Sequence, residues 1–135
     1  MAVVSLARKV HTQQTSYISR TINYNDAAAA TGQLIGYLPA GCTLGTTKVL
    51  TTTAFNGTVS VTLSVGTTLT GTNLINGTDV RTSTARVDTV VPIAAVASTF
   101  AATADVPIYA SVAFGGTTGT AGQATVVVTY EATVG

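Results

Sequence analysis

The chain has 135 residues, 46% of them apolar and 8% charged, with six basic and five acidic side chains for a formal net charge of +1. That is the size of one domain, long enough to bury roughly two-thirds of its unfolded surface around a single core. It carries too few cations for the phosphate contacts on which nucleic-acid affinity rests, too much apolar content for a disordered tail, and no 18-residue apolar run with which to span a membrane.

Residues 1–16, Met1 to Ser16, alternate poorly and end in the polar string His11-Thr-Gln-Gln-Thr-Ser16. As a signal peptide the segment is poor: Arg8-Lys9 follow the apolar stretch Ala2–Ala7, which is short and leads to no cleavage site. Synthesis in a cytoplasm is the expectation. The segment reads as an N-terminal arm outside a β-sandwich domain formed by 17–135. A frayed terminus is the plain reading of such an arm. A partner-binding arm is the other, because Val3, Val4, Leu6 and Val10 would otherwise face solvent beside Arg8, Lys9 and His11.

From there on the chain reads as β structure. Threonine alone supplies 28 residues, and Thr and Val both favour strands. Tyr17–Tyr24 puts Ile18, Ile22 and Tyr24 on one face, with Arg20 as the odd member. Gln33–Leu38 is a short strand before Pro39, and Thr46–Phe55 a longer one. Thr58–Val65 alternates throughout: Val59, Val61, Leu63 and Val65 face one way, Thr58, Ser60, Thr62 and Ser64 the other, the period of a half-buried strand. Leu69–Ile75 holds a short piece, and Thr84–Val91 alternates again. Val106–Phe114 places Val106, Ile108, Ala110, Val112 and Phe114 together, and Ala124–Tyr130 does so with Ala124, Val126, Val128 and Tyr130. Val127 interrupts the polar face of that last strand, as if part of it were covered. The Ala-rich runs Asp26–Ala30 and Val90–Ala104 allow one helical turn each, no more.

The punctuation is that of a sandwich. Phe55-Asn56-Gly57-Thr58 predicts a type I′ hairpin turn pairing Thr46–Phe55 with Thr58–Val65. Asn76-Gly77 is a second turn, and Gly115–Gly122 a flexible loop joining the last two strands. Seven to nine short strands at roughly ten-residue spacing imply an all-β, antiparallel sandwich or barrel.

Chemistry finds little to hold. The acids Asp26, Asp79, Asp88, Asp105 and Glu131 form no local pair, and the chain has no Trp for a sugar-cleaving cleft. A triad would have to use the lone His11. One Cys, Cys42, reads as a small buried hydrophobe in a loop and excludes an intramolecular disulfide. One His and one Cys do not assemble a metal site. Gly115–Gly122 lacks the Lys and helix of a phosphate loop. Tyr24, Tyr109 and Tyr130 read as core or rim packing, with a sugar-binding aromatic platform as the alternative, and Tyr37 as a strand-end anchor. Arg81 and Arg86 read as solvated, or as a pair bridging to an acidic partner. No cofactor and no small-molecule substrate are expected.

The run Gly36-Tyr-Leu-Pro-Ala-Gly41, then Lys48-Val-Leu-Thr-Thr-Thr-Ala-Phe-Asn-Gly-Thr58, then Leu63-Ser-Val-Gly66, and the ending Val106-Pro-Ile-Tyr-Ala-Ser-Val112 with Gly119-Thr-Ala-Gly-Gln-Ala-Thr-Val-Val-Val-Thr-Tyr130, resemble the small cement or decoration proteins of tailed-bacteriophage capsids. In size and style the resemblance is to the short-tailed phage type, as in the Bordetella phage. It spans about residues 33–131, and its motifs are turn-and-strand punctuation, specific to a fold rather than to a reaction. It implies a jelly-roll-like antiparallel β-sandwich on the outside of an icosahedral shell, stabilising neighbouring major capsid proteins. The protein would be a non-enzymatic virion component, made in the host cytoplasm, with a homodimer as the default arrangement. The arm matches no pattern of that group, and Val3, Val4, Leu6, Arg8, Lys9, Val10 and His11 are the residues expected to contact the capsid or a sister subunit. A receptor- or carbohydrate-binding sandwich of the phage-fibre or adhesin kind is the other reading, since jelly rolls serve both.

Overall fold

The structure is a computed structural model, describing residues 15–26, 28–81, 86–90 and 104–132. Eight strands run through them: β1 Thr15–Asn23, β2 Gln33–Leu38, β3 Cys42–Thr53, β4 Ser60–Gly66, β5 Ile75–Asp79, β6 Arg86–Val90, β7 Val106–Gly115 and β8 Gln123–Ala132. Four form one sheet in the order β1-β8-β3-β6 and four another in the order β2-β7-β4-β5. Every pairing is antiparallel. The chain thus pairs β1 with β8, β2 with β7, β3 with β6 and β4 with β5, as one long hairpin rolled up. The contacts β8–β3 and β7–β4 close the two sheets. This is the jelly roll.

The core lies between the sheets. Ile22, Leu44, Val49, Ala124, Val126 and Val128 face inward from the first sheet, and Leu38, Val61, Leu63, Val65, Ile108, Ala110 and Val112 from the second. Phe55 and Val80, from connections, are fully buried with them. The period-two alternation in β4, β7 and β8 therefore marks the core side correctly.

Five local expectations need correction. Asn56-Gly57 makes no hairpin, because β3 and β4 lie in different sheets. Among the described residues no non-glycine has positive φ, and Gly57 is not among the glycines that do, so the type I′ geometry is absent. The chain instead crosses between sheets here, driving Phe55 into the core. Asn76-Gly77 is not a turn between strands but a bulge inside β5: Leu63 pairs with Thr78 and Val65 with Ile75, one residue too many on β5, and Gly77 takes φ 66°. Residues 67–74 turn rather than extend, so the strand expected over Leu69–Ile75 begins only at Ile75. Val59 does not join Val61, Leu63 and Val65 in the core; it precedes β4 and is 69% exposed. Cys42 is buried as expected, but at the start of β3 rather than in a loop.

The Leu38-Pro-Ala-Gly-Cys42 stretch behaves as its residues demand. Pro39 O accepts from Cys42 N at 3.2 Å, and Gly41 has φ 77°. That is the third position of a type II turn, which favours glycine. The turn carries the chain from β2 in one sheet to β3 in the other. Asp105 Oδ1 accepts from Ala40 N at 3.0 Å and fixes it from the side.

Candidate docking surfaces

Among the described residues no three or more His, Cys, Asp or Glu side chains gather as they would around a metal ion. Asp26 Oδ2 accepts from Asn23 N at 2.8 Å, Asp79 Oδ1 from Arg81 N at 2.7 Å, and Asp105 holds the β2–β3 turn. These are structural tasks. The Cys42 thiol is pushed above its ordinary range, first by burial and then by the nearby Asp105 charge, against the lowering effect of a backbone hydrogen bond. A thiol held protonated is a poor nucleophile. The sequence-expected contact residues Val3, Val4, Leu6, Arg8, Lys9, Val10 and His11 lie outside the described residues. Of the arm as read from sequence, Thr15 and Ser16 belong to β1.

The odd member of β1 has a clear job. Arg20 sits among Ile18 and Ile22 on the inward-facing side, where β1 and β2 form neighbouring sheet edges. Its Nη1 donates to Leu34 O on β2 at 2.9 Å. With the Gln33 amide oriented to satisfy its neighbours, Gln33 Oε1 accepts from Arg20 Nε and Nη2 at 2.9 Å each, and Gln33 Nε2 donates to Asp26 Oδ2 at 3.3 Å. The network ties the two sheets along their open seam.

The outer face of the first sheet is mixed. Tyr17 pairs with Thr129, Val127 with both Ser19 and Lys48, and Leu50 with Thr125. Directly paired residues point to the same side, so Tyr17, Val127 and Leu50 form a diagonal apolar stripe across β1, β8 and β3. Tyr17 and Leu50 are exposed. A depression of about 270 Å³ lies between Lys48, Leu50, Thr125 and Val127. The hydroxyls around the stripe bond to each other or to backbone: Thr21 Oγ1 and Thr125 Oγ1 are 3.1 Å apart, and Thr129 Oγ1 accepts from Thr46 N at 2.7 Å and donates to Thr46 O at 3.1 Å. Only Val127 of this stripe announces itself in the sequence; Tyr17 and Leu50 join it through register.

On the second sheet Tyr37 pairs with Pro107 and Leu34 with Tyr109. These four share the outer face, and Tyr37 is 53% exposed. Tyr130 packs at the rim of the core, as does Tyr24, which lies in the turn after β1 rather than in the strand.

The third surface is the end of the sandwich where the β3–β4, β5–β6 and β7–β8 connections meet. Asn56 is its hub. Its Oδ1 accepts from Thr120 N at 2.7 Å and Ala121 N at 2.9 Å, and its Nδ2 donates to Thr120 Oγ1 at 3.0 Å. Thr117 N donates to Thr58 Oγ1 at 2.8 Å. The glycine-rich loop expected to be flexible is therefore pinned along most of its length. The signal that misleads as a hairpin marks this lock instead: an Asn whose short amide caps a neighbouring loop. Arg81 is not simply solvated either. Its Nε donates to Gly57 O at 2.8 Å and its Nη2 to Thr58 O at 3.3 Å, beside a pocket of about 440 Å³ lined by Ala54, Phe55, Asn56, Gly57 and Arg81.

No family model matches the chain, and no curated protein matches its sequence. Among solved structures the fold is similar to a chain of the cyanophage Pam1 capsid asymmetric unit, with a TM-score of 0.66 and 15% sequence identity, over 96% of this chain and 93% of that one. At that identity the likeness is one of fold.

Proposed function

We propose that the chain is a structural protein of a bacteriophage virion, which binds the outside of an icosahedral capsid and cements neighbouring major capsid proteins. One observation carries the reading: over 96% of its length the chain is similar in fold to 93% of a chain in a cyanophage capsid. The surfaces support it. The loop end is braced, and the sheet faces mix Thr hydroxyls with a few exposed apolar side chains. A protein that binds only the assembled shell stabilises it by mass action, and many equivalent sites on one shell let weak contacts add. The major capsid protein is then the partner, and the arm, through Val3, Val4, Leu6, Arg8, Lys9, Val10 and His11, a contact. A homodimer fits β1: it runs nine residues along the sheet edge in unbroken register with β8, a long edge of the kind open to pairing.

Co-sedimentation of the purified protein with undecorated capsids tests the reading, with a version lacking residues 2–14 alongside. Saturable, stoichiometric binding is expected, weakened by the deletion while the circular dichroism of the sandwich is unchanged. Absence of binding to shells refutes the reading. The receptor- or carbohydrate-binding alternative draws on Tyr37, Pro107 and Tyr109, which share one outer face. It would show instead as binding to cells or glycans that Tyr37→Ala abolishes.

A further inference from the structure

We propose that the pocket beside Arg81 is a carboxylate-binding site, and that it receives an Asp or Glu side chain of the protein on which this domain docks. The assignment of that partner rests on the capsid reading; the carboxylate site does not.

Arg81 is firmly held at both its backbone and its side chain. Val80, immediately before it, is fully buried, donates its N–H to Val61 O at 3.1 Å and accepts from Phe55 N at 2.9 Å. The N–H of Arg81 itself donates to Asp79 Oδ1. Its side chain then lies against the β3–β4 connection, with Nε on Gly57 O and Nη2 on Thr58 O. Those two bonds occupy one edge of the guanidinium. A guanidinium carries five N–H groups; of the three left without a partner among the described residues, one on Nη1 and one on Nη2 lie side by side along its end. That end is a two-pronged fork matched to the two oxygens of a carboxylate.

The surroundings are equally fixed. Asn56 has both ends of its amide tied to residues 120 and 121, and Phe55 forms the buried floor. None of the five lining residues is acidic. Arg81 is half-buried as a residue, with its Nη2 end exposed and its side chain already held in the free protein, so a ligand does not bear the cost of immobilising a long side chain. The other described guanidinium, that of Arg20, is engaged with Leu34 and Gln33. A single cation suits a singly charged carboxylate better than a doubly charged phosphate.

The test titrates the isotopically labelled full chain with sodium acetate, against sodium chloride at equal ionic strength, by nuclear magnetic resonance. Saturable shifts centred on Arg81 Nε–H and the amide of Gly57 are expected. Arg81→Gln abolishes saturation, and Arg81→Lys, which keeps the charge but not the fork, weakens it about fivefold. If Arg81→Gln disturbs the fold, seen in its amide spectrum and melting temperature, Arg81→Lys carries the comparison. Shifts that grow linearly, centre elsewhere or persist unchanged in both variants overturn the site. Co-sedimentation with shells tests the partner. Shell affinity reduced about tenfold by Arg81→Lys supports it, and equal affinity overturns it. Failure of the unaltered protein to bind shells refutes the capsid reading and the partner with it, while the acetate titration still decides the site.

Discussion

Thr47 offers a sharp test of the core. It is fully buried on β3, and its Oγ1 has no hydrogen-bond partner among the described residues. Its register neighbour on β8 is Val128, also fully buried. A buried hydroxyl without a partner costs about 1–3 kcal/mol in lost hydration. Thr47→Val replaces it with a methyl of the same shape, so stability should rise by about 1 kcal/mol. For a chain of this length that is a rise of about 3–4 °C in Tm. Thr129→Val is the matched control. The same chemical change there removes the hydroxyl that both accepts from Thr46 N and donates to Thr46 O. A loss of about 1–2 kcal/mol is expected, since two bonds go and the site is only half-buried. Urea unfolding with an unchanged slope reads both. If Thr47→Val destabilises as much as Thr129→Val, the Thr47 hydroxyl has a hydrogen-bond partner and is not an unpaired group in the core.

Other outcomes follow from the same contacts. Val61 is fully buried at the centre of the second sheet, so Val61→Asp leaves an unpaired charge in the core and should abolish cooperative unfolding by circular dichroism, at a cost of several kcal/mol. Asn56→Ala removes three hydrogen bonds to residues 120 and 121. It should cost about 1–2 kcal/mol and speed amide exchange in 116–122 while leaving β8 protected; equal protection before and after would show the lock to be unimportant. The Cys42 thiol, raised mainly by burial, should resist alkylation at neutral pH until the protein unfolds. Because folding raises its pKa, its contribution to stability is complete below the ordinary thiol range and lost as pH climbs through the folded value. The urea midpoint should therefore fall more steeply with rising alkaline pH in the wild type than in Cys42→Ala, and identical slopes would contradict the assignment.

The strands were readable because their residues obey a local rule. Val61, Leu63 and Val65, or Ile108, Ala110 and Val112, alternate because one face of each strand is buried, and burial is written directly into residue type. The pairing was not readable. Asn56-Gly57 carries the local chemistry of a hairpin, but the core claims Phe55 just before it, and the rolled topology sends the chain to the opposite sheet. Burying a phenyl ring is worth about 1.5–3 kcal/mol, and here it overrides the local turn preference. Gly77 likewise supplies the positive φ its sequence suggests, to a bulge rather than a turn. Surfaces suffer more, since they are composed by register. Tyr17, Val127 and Leu50 are far apart in the chain and meet only because β8 lies between β1 and β3. Arg81 shows the same: nothing in its neighbours announces that Gly57 and Thr58, more than twenty residues earlier, will hold it.

The central claim is attachment to the outside of a phage shell, and electron cryomicroscopy of undecorated capsids incubated with the purified protein tests it most directly. The prediction is new density on the outer surface, of the size and two-sheet shape of this domain, astride the joints between coat subunits at full occupancy. Shells that look the same with and without the protein, or density confined to their interior, would contradict it.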